Sequence, residues 1–177
     1  MFVRSLIAIT ALSLSLPLFA RASSPESVYT DLSPARCRTT KVDKETGSSV
    51  QRCPGVGGHS LLVEDDDARQ SVTVVTPDGK RHPLRYWQVV TTAFSTVGEK
   101  AEWRVERRGG EVVPIALIVR VYANENPDAP DERTSYLAVA KITPAKVCVT
   151  EKIKGGATAN EEARRAADAS AARPCLQ

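Results

Sequence analysis

Aromatic side chains are scarce: Phe, Trp and Tyr make up 5% of the 177 residues, so any core must be built chiefly from Val, Leu, Ile and Ala. Histidine is scarcer still. The chain has 2, His59 and His82, and neither has a second ligand at the helical spacing of a zinc site. No Gly-x-Ser-x-Gly turn is present to carry a nucleophilic serine. The 4 cysteines include no Cys-x-x-Cys pair, which removes the usual spacing of zinc knuckles and thioredoxin-like redox sites. After Ser23 no apolar run is long enough to cross a bilayer. The best of them, from Val112 to Val119, is interrupted by Pro114 and stopped by Arg120.

What is present at the start is an address. Arg4, an apolar stretch from Leu6 to Leu16 and the small-x-small run Ala20-Arg21-Ala22 follow the order of a secretory signal peptide, so residues 1–22 are expected to be cleaved. The stretch is shorter than the roughly 18–20 apolar residues of a membrane anchor, and Pro17 follows it. The first cysteine, Cys37, lies too far downstream for lipid attachment at the cleavage point. A periplasmic or secreted protein without stable membrane insertion is expected. The formal charge of +3 counts Arg4 and Arg21 of the leader; without them the chain is nearly neutral, which removes the electrostatic case for a nucleic-acid partner.

In an oxidising compartment four cysteines are expected to pair, and three connectivities are possible. Cys37 and Cys53 flank the turn-like Glu45-Thr46-Gly47-Ser48 symmetrically, so a hairpin there would bring them opposite each other. Cys148 with Cys175 then follows. A strand from Cys148 to Ile153 runs about 17 Å outward. A helix from Thr158 to Ala172 returns about 22 Å, bringing the chain end level with Cys148.

The mature chain, about 155 residues, suits a single domain with one sizeable core. Residues 23–35 are polar and Pro-containing and read as a flexible lead-in, with Val28, Tyr29 and Leu32 able to dock; 36–177 form the domain. Short β-branched runs separated by turns then predict strands at Arg36–Val42, Ser49–Cys53, His59–Glu64, Ser71–Thr76, Arg81–Trp87, Glu99–Arg107, Val112–Tyr122, Tyr136–Ile142 and Lys146–Lys152. Gln88–Val97 fits a strand or a short helix equally. Thr158-Ala159-Asn160-Glu161 has capping-box spacing, and Glu161-Glu162 precede Arg164-Arg165 in the order that favours i,i+3 or i,i+4 pairs. The helix that follows is alanine-rich, so its apolar face buries little area and needs the second disulfide to hold it. The fold class is α+β, mostly β: a single antiparallel sheet, or a sandwich- or barrel-like domain, with a C-terminal helix.

Candidate sites are few. Gly55-Val56-Gly57-Gly58-His59-Ser60 leads into a strand rather than a helix and lacks the Lys-Ser/Thr ending of a phosphate loop, so it reads as a turn beside a disulfide. Asp65-Asp66-Asp67 lacks the alternating ligands of a calcium loop and reads as a solvated turn. The two histidines read as surface residues. Arg85, Tyr86 and Trp87, with Trp103 on a neighbouring strand, are the residue types that dominate interfaces and form the candidate interaction surface. No catalytic residue, metal ligand or cofactor is expected. A carboxylate pair for glycoside hydrolysis stays open, because such pairs meet only in three dimensions.

Arg52-Cys53-Pro54-Gly55-Val56-Gly57-Gly58, Gln70-Ser71-Val72-Thr73-Val74-Val75, Lys100-Ala101-Glu102-Trp103-Arg104 and Ala163-Arg164-Arg165-Ala166-Ala167-Asp168 resemble segments of a family of small exported proteobacterial proteins of uncharacterised function. The resemblance implies a cell-envelope setting and brings no activity, so no functional residue is carried over. The expected function is that of a non-enzymatic binding or interaction protein of the envelope with a protein partner. The contrasting readings are a small carboxylate-dependent cell-wall hydrolase and a purely structural envelope protein.

Overall fold

The computed structural model describes residues 24–129 and 131–177; the expected signal peptide lies outside the described residues. Alternating β-branched residues build strands β1 (Glu26–Asp31), β2 (Arg38–Val42), β3 (Ser49–Pro54), β4 (Ser60–Asp66), β5 (Arg69–Val75) and β6 (Arg81–Pro83). After a short helix α1 (Tyr86–Val89) come β7 (Ser95–Arg108), β8 (Glu111–Ala123), β9 (Thr134–Ile142) and β10 (Val147–Lys154), then helix α2 (Ala159–Asp168). Among the described residues the ten strands form one mixed sheet that is not closed, with the path β10-β9-β8-β7-β5-β4-β3-β2, β1 beside β7 and β6 beside β5. The expectation of a mostly β fold with a C-terminal helix holds. No helix among the described residues is long and apolar enough to cross a membrane.

The sheet consists of two antiparallel halves. β2 to β6 form a meander, each strand pairing with the next in sequence; β7 to β10 form another, with β1 added on the free side of β7. The halves meet through one parallel pair, Arg69 opposite Ser95, which a purely antiparallel sheet does not contain. The neighbour change on β7 is made by a bulge between Val97 and Ala101, where a Cβ on Gly98 would sit 3.2 Å from the Arg120 side chain. Beyond the bulge, Lys100 to Val105 pair with Asp31 to Glu26 of β1.

The inner faces of both halves share a core: Leu61, Val63, Val72 and Val74 pack with Ala101, Trp103, Val105, Leu117, Val119, Val121 and Ala138. Trp103, fully buried, supplies the largest side chain, and its Nε1 donates to Thr30 Oγ1 at 2.9 Å. Ala116, Ile118, Leu137 and Val139 on the outer face of β8 and β9 are covered by Ala159, Ala163, Ala166 and Ala167 of α2. The small alanine side chains let the helix approach the sheet closely, and each buries little area of its own.

Several expectations need correction. Glu26–Asp31, within the supposed flexible lead-in, is strand β1; Leu32 is buried, Val28 packs on the core and Tyr29 stays exposed. The strand expected over Arg81–Trp87 stops at Pro83. Arg85 takes a left-handed φ of 49°, the Tyr86 N–H donates to Ser71 Oγ at 3.0 Å, and the chain turns into α1 before β7 begins at Ser95. The acidic run is not all turn: β4 continues to Asp66, and only Asp67 and Ala68, both with positive φ, make the hairpin bend. At α2 the capping box does not form; Thr158 Oγ1 donates to the side chain of Glu162 at 2.5 Å. Arg164 reaches past its helical neighbours to Glu102 on β7, 2.6 Å away.

Candidate functional site

Both expected disulfides are present, Cys37 with Cys53 and Cys148 with Cys175. The second pins the chain end beside β10, where the Leu176 N–H donates to the Val149 carbonyl at 2.8 Å and Lys141 Nζ to the Arg173 carbonyl at 2.6 Å. Disulfide and hydrogen bonds act together with side-chain clamps that the sequence reading left out. Arg104, whose side chain is 9% exposed, donates to both carboxylate oxygens of Asp168, at 2.7 and 2.9 Å, and also to Ser27 Oγ and the Pro25 carbonyl. Glu102 accepts from Arg164 and Ser27; burial alone would raise its carboxyl, but these bonds outweigh it and leave it below the ordinary value.

The proposed aromatic surface of Arg85, Tyr86, Trp87 and Trp103 is not assembled. Trp103 and Tyr86 are fully buried, because both are needed to fill a core with few other large side chains. The Tyr86 hydroxyl has no hydrogen-bond partner, and burial pushes its pKa above the ordinary phenol value. Trp87, next along α1, lies half-buried with Val50, Glu64 and Lys41 on the opposite, outer face of the meander. Arg85 alone is exposed. A cation does face an aromatic ring at the surface, but the pair is Arg69 over Phe94, 4.6 Å from the ring centre.

The cleft with the richest chemistry lies elsewhere. In a meander alternate turns fall at the same end, so the β3–β4 loop, the β5–β6 turn, the β7–β8 hairpin and the β9–β10 turn gather together, joined by the C-terminal end of α2. They enclose a cleft of about 580 Å³, within the range of small-molecule sites. Its apolar lining comes from Pro77, Val113, Pro114, Ile115, Ile142 and Pro144. The Gly55–His59 loop can form one wall only because it carries glycine: a Cβ on Gly57, at φ +58°, would lie 2.6 Å from the Val112 carbonyl oxygen and 2.8 Å from Pro114.

Both histidines of the chain line this cleft. His59 rests above Trp103, ring centres 6.0 Å apart, and its Nδ1 faces the Val56 and Gly57 carbonyl oxygens at 3.1 and 3.2 Å. Three carboxylates also line the space, each beside a cation: Asp78 with Lys80 at 2.8 Å, Glu106 with Arg108 at 2.7 Å and Asp168 with Arg104 at 2.7 Å. Bonds from Lys80 and Thr76 hold the Asp78 carboxyl well below the ordinary carboxylate range. Among the described residues no three His, Cys, Asp or Glu side chains converge as a metal site would require, at Asp65–Asp67 or elsewhere. His59 precedes β4 and His82 lies within the short β6, two hairpins apart in a meander, which places both at one end. Comparison with protein-family models, curated proteins and solved structures finds no significant match in any of the three.

Proposed function

We propose that the chain is an exported, non-enzymatic binding protein of the cell envelope, and that the cleft ringed by the β3–β4, β5–β6, β7–β8 and β9–β10 turns is its binding site. The observation that carries this reading is the cleft itself: a space of about 580 Å³ whose lining is part apolar and part polar, with both imidazoles of the chain on its wall. Export is supported by the leader sequence and agrees with two disulfides and no free cysteine among the described residues. Binding is favoured over glycoside hydrolysis by the state of the carboxylates. A hydrolase needs one carboxyl raised to serve as general acid. Here Asp78, Glu106 and Asp168 each face a cation, and Asp78 is displaced downward.

The chain offers its own reporter, since its only two histidines line the site and give two sets of imidazole C–H signals in a proton NMR spectrum. Adding the low-molecular-mass fraction of an envelope extract should move those signals, and dialysis should restore them with the added compounds intact. Unmoved imidazole signals would refute the site. Turnover of a component that depends on Asp78, Glu106 or Asp168 would favour the hydrolase.

A further inference from the structure

The geometry points to a ligand class: the cleft selects an uncharged molecule with an apolar body and a hydrogen-bond donor, which His59 Nε2 accepts. This deepens the binding-site reading above and rests on it.

The first step is the tautomer of His59. A carbonyl oxygen can only accept, so an Nδ1 held 3.1 and 3.2 Å from the Val56 and Gly57 carbonyls carries the ring proton. In the neutral ring Nε2 is then left with its lone pair. Nε2 makes no hydrogen bond among the described residues, so the imidazole presents an oriented acceptor on the wall of the cleft. The backbone fixes this orientation: Gly57 and Gly58, both at positive φ, bend the loop so that its carbonyls point at the ring, and the His59 N–H itself donates to the Val56 carbonyl at 3.0 Å.

The second step is the charge around it. Each of the three carboxylates on the lining has a cation within 2.8 Å: Lys80 and Arg108 beside Asp78 and Glu106 on the lining itself, and Arg104, buried behind it, beside Asp168. The polar groups of the turns are also engaged: Thr76 Oγ1 with Asp78 and the Lys80 carbonyl, Thr143 Oγ1 with the Lys146 carbonyl. An anion or a cation entering the cleft would give up part of its hydration and would have to displace a partner from an ion pair already formed. A neutral donor loses far less and gains the His59 acceptor, while Val113, Ile115, Ile142 and the three prolines take its apolar part.

Four probes with one apolar body separate the possibilities: phenylacetamide and phenethyl alcohol as neutral donors, phenylacetate as the anion and phenethylamine as the cation. Each is titrated into the disulfide-intact mature protein and followed by its imidazole signals. The neutral pair should bind at least about fivefold more tightly than either ion. His59→Asn keeps a donor for the two carbonyls and removes the cleft acceptor, and should weaken the neutral pair by about tenfold, the worth of one good hydrogen bond. His59→Gln restores an acceptor near the Nε2 position and should recover most of that loss. An ion binding as tightly as the neutral pair, or His59→Asn binding like the unaltered protein, would overturn the assignment while leaving the cleft a binding site. If no probe moves either imidazole, both readings fall together.

Discussion

In the β2–β6 half each strand pairs with its sequence neighbour, the disulfide closes a hairpin over a separation of 16 residues, and the carboxylates displaced downward are turn residues held locally, Asp43 by Thr46 and Glu45, Asp78 by Lys80 and Thr76. In the half built from β1 and β7–β10 the fastenings span much of the chain. Asp168 meets Arg104 across 64 residues, Arg104 meets Ser27 across 77, and Lys100 meets Asp31 across 69. One half is closed by turns, the other by side chains that clamp β1 and α2 onto β7. The second kind depends on a few residues, so substitutions there should act at a distance.

Trp103→Ala should have the largest effect, because its side chain touches the core that both halves share. Removing a fully buried tryptophan costs about 3–5 kcal/mol, and Thr30 loses its donor as well. Amide exchange should accelerate in β4 and β5 as well as in β7 and β8. Protection retained in β4 and β5 would mean that the halves have separable cores.

Arg104→Met keeps the stem and removes the clamp. Breaking a buried pair costs about 3–5 kcal/mol. The Asp168 side chain remains 33% exposed, so about 2–3 kcal/mol is expected in urea denaturation. The double variant with Asp168→Asn should cost clearly less than the sum of the two singles. Simple additivity would show that the contact holds nothing.

The disulfides test the same contrast. Chain-entropy arguments give the two bridges similar worth, about 3–3.5 kcal/mol for separations of 16 and 27 residues. Their local consequences should differ. Cys37→Ala with Cys53→Ala leaves β2 paired to β3, whereas Cys148→Ala with Cys175→Ala leaves residues 173–177 held only by isolated contacts, the Leu176, Lys141 and Arg173 backbone bonds and the Arg173–Glu151 ion pair, with no strand pairing. Proteolysis should trim the tail in the second variant and spare β2 in the first. Equal susceptibility of both would contradict the division.

That contrast also explains which parts of the molecule could be read in the sequence. The meander strands, the hairpins and both disulfides follow from alternation, turn residues and cysteine spacing, all local signals. β1 was misjudged because a polar six-residue strand becomes ordered only when β7 lies beside it. Arg164 looked like a partner for Glu161 because helical spacing is visible in sequence, and its actual partner Glu102 is not. Trp103 and Tyr86 looked like a surface because composition does not say which face of a strand or helix is inward when several are available. The cleft was legible only in part: the two histidines stand out in the sequence, but that both line one space with the β7–β8 and β9–β10 turns depends on how the two halves join.

The smallest expected effect is on acid stability, and it separates the halves by charge. Glu102 sits below its ordinary value of 4.5 in the folded protein, so it binds a proton less readily there than in the unfolded chain. Its contribution to stability is present above about pH 4.5 and is lost as pH falls through the lowered folded value. Glu102→Gln should therefore lower stability at neutral pH and make the acid limb of the stability curve shallower. Asp43→Asn, in the β2–β3 turn, should flatten the same limb less, because Asp43 is bonded only to its own turn. An acid limb steepened by Glu102→Gln, or one more affected by Asp43→Asn, would place the pH-sensitive fastening in the meander half and reverse the comparison.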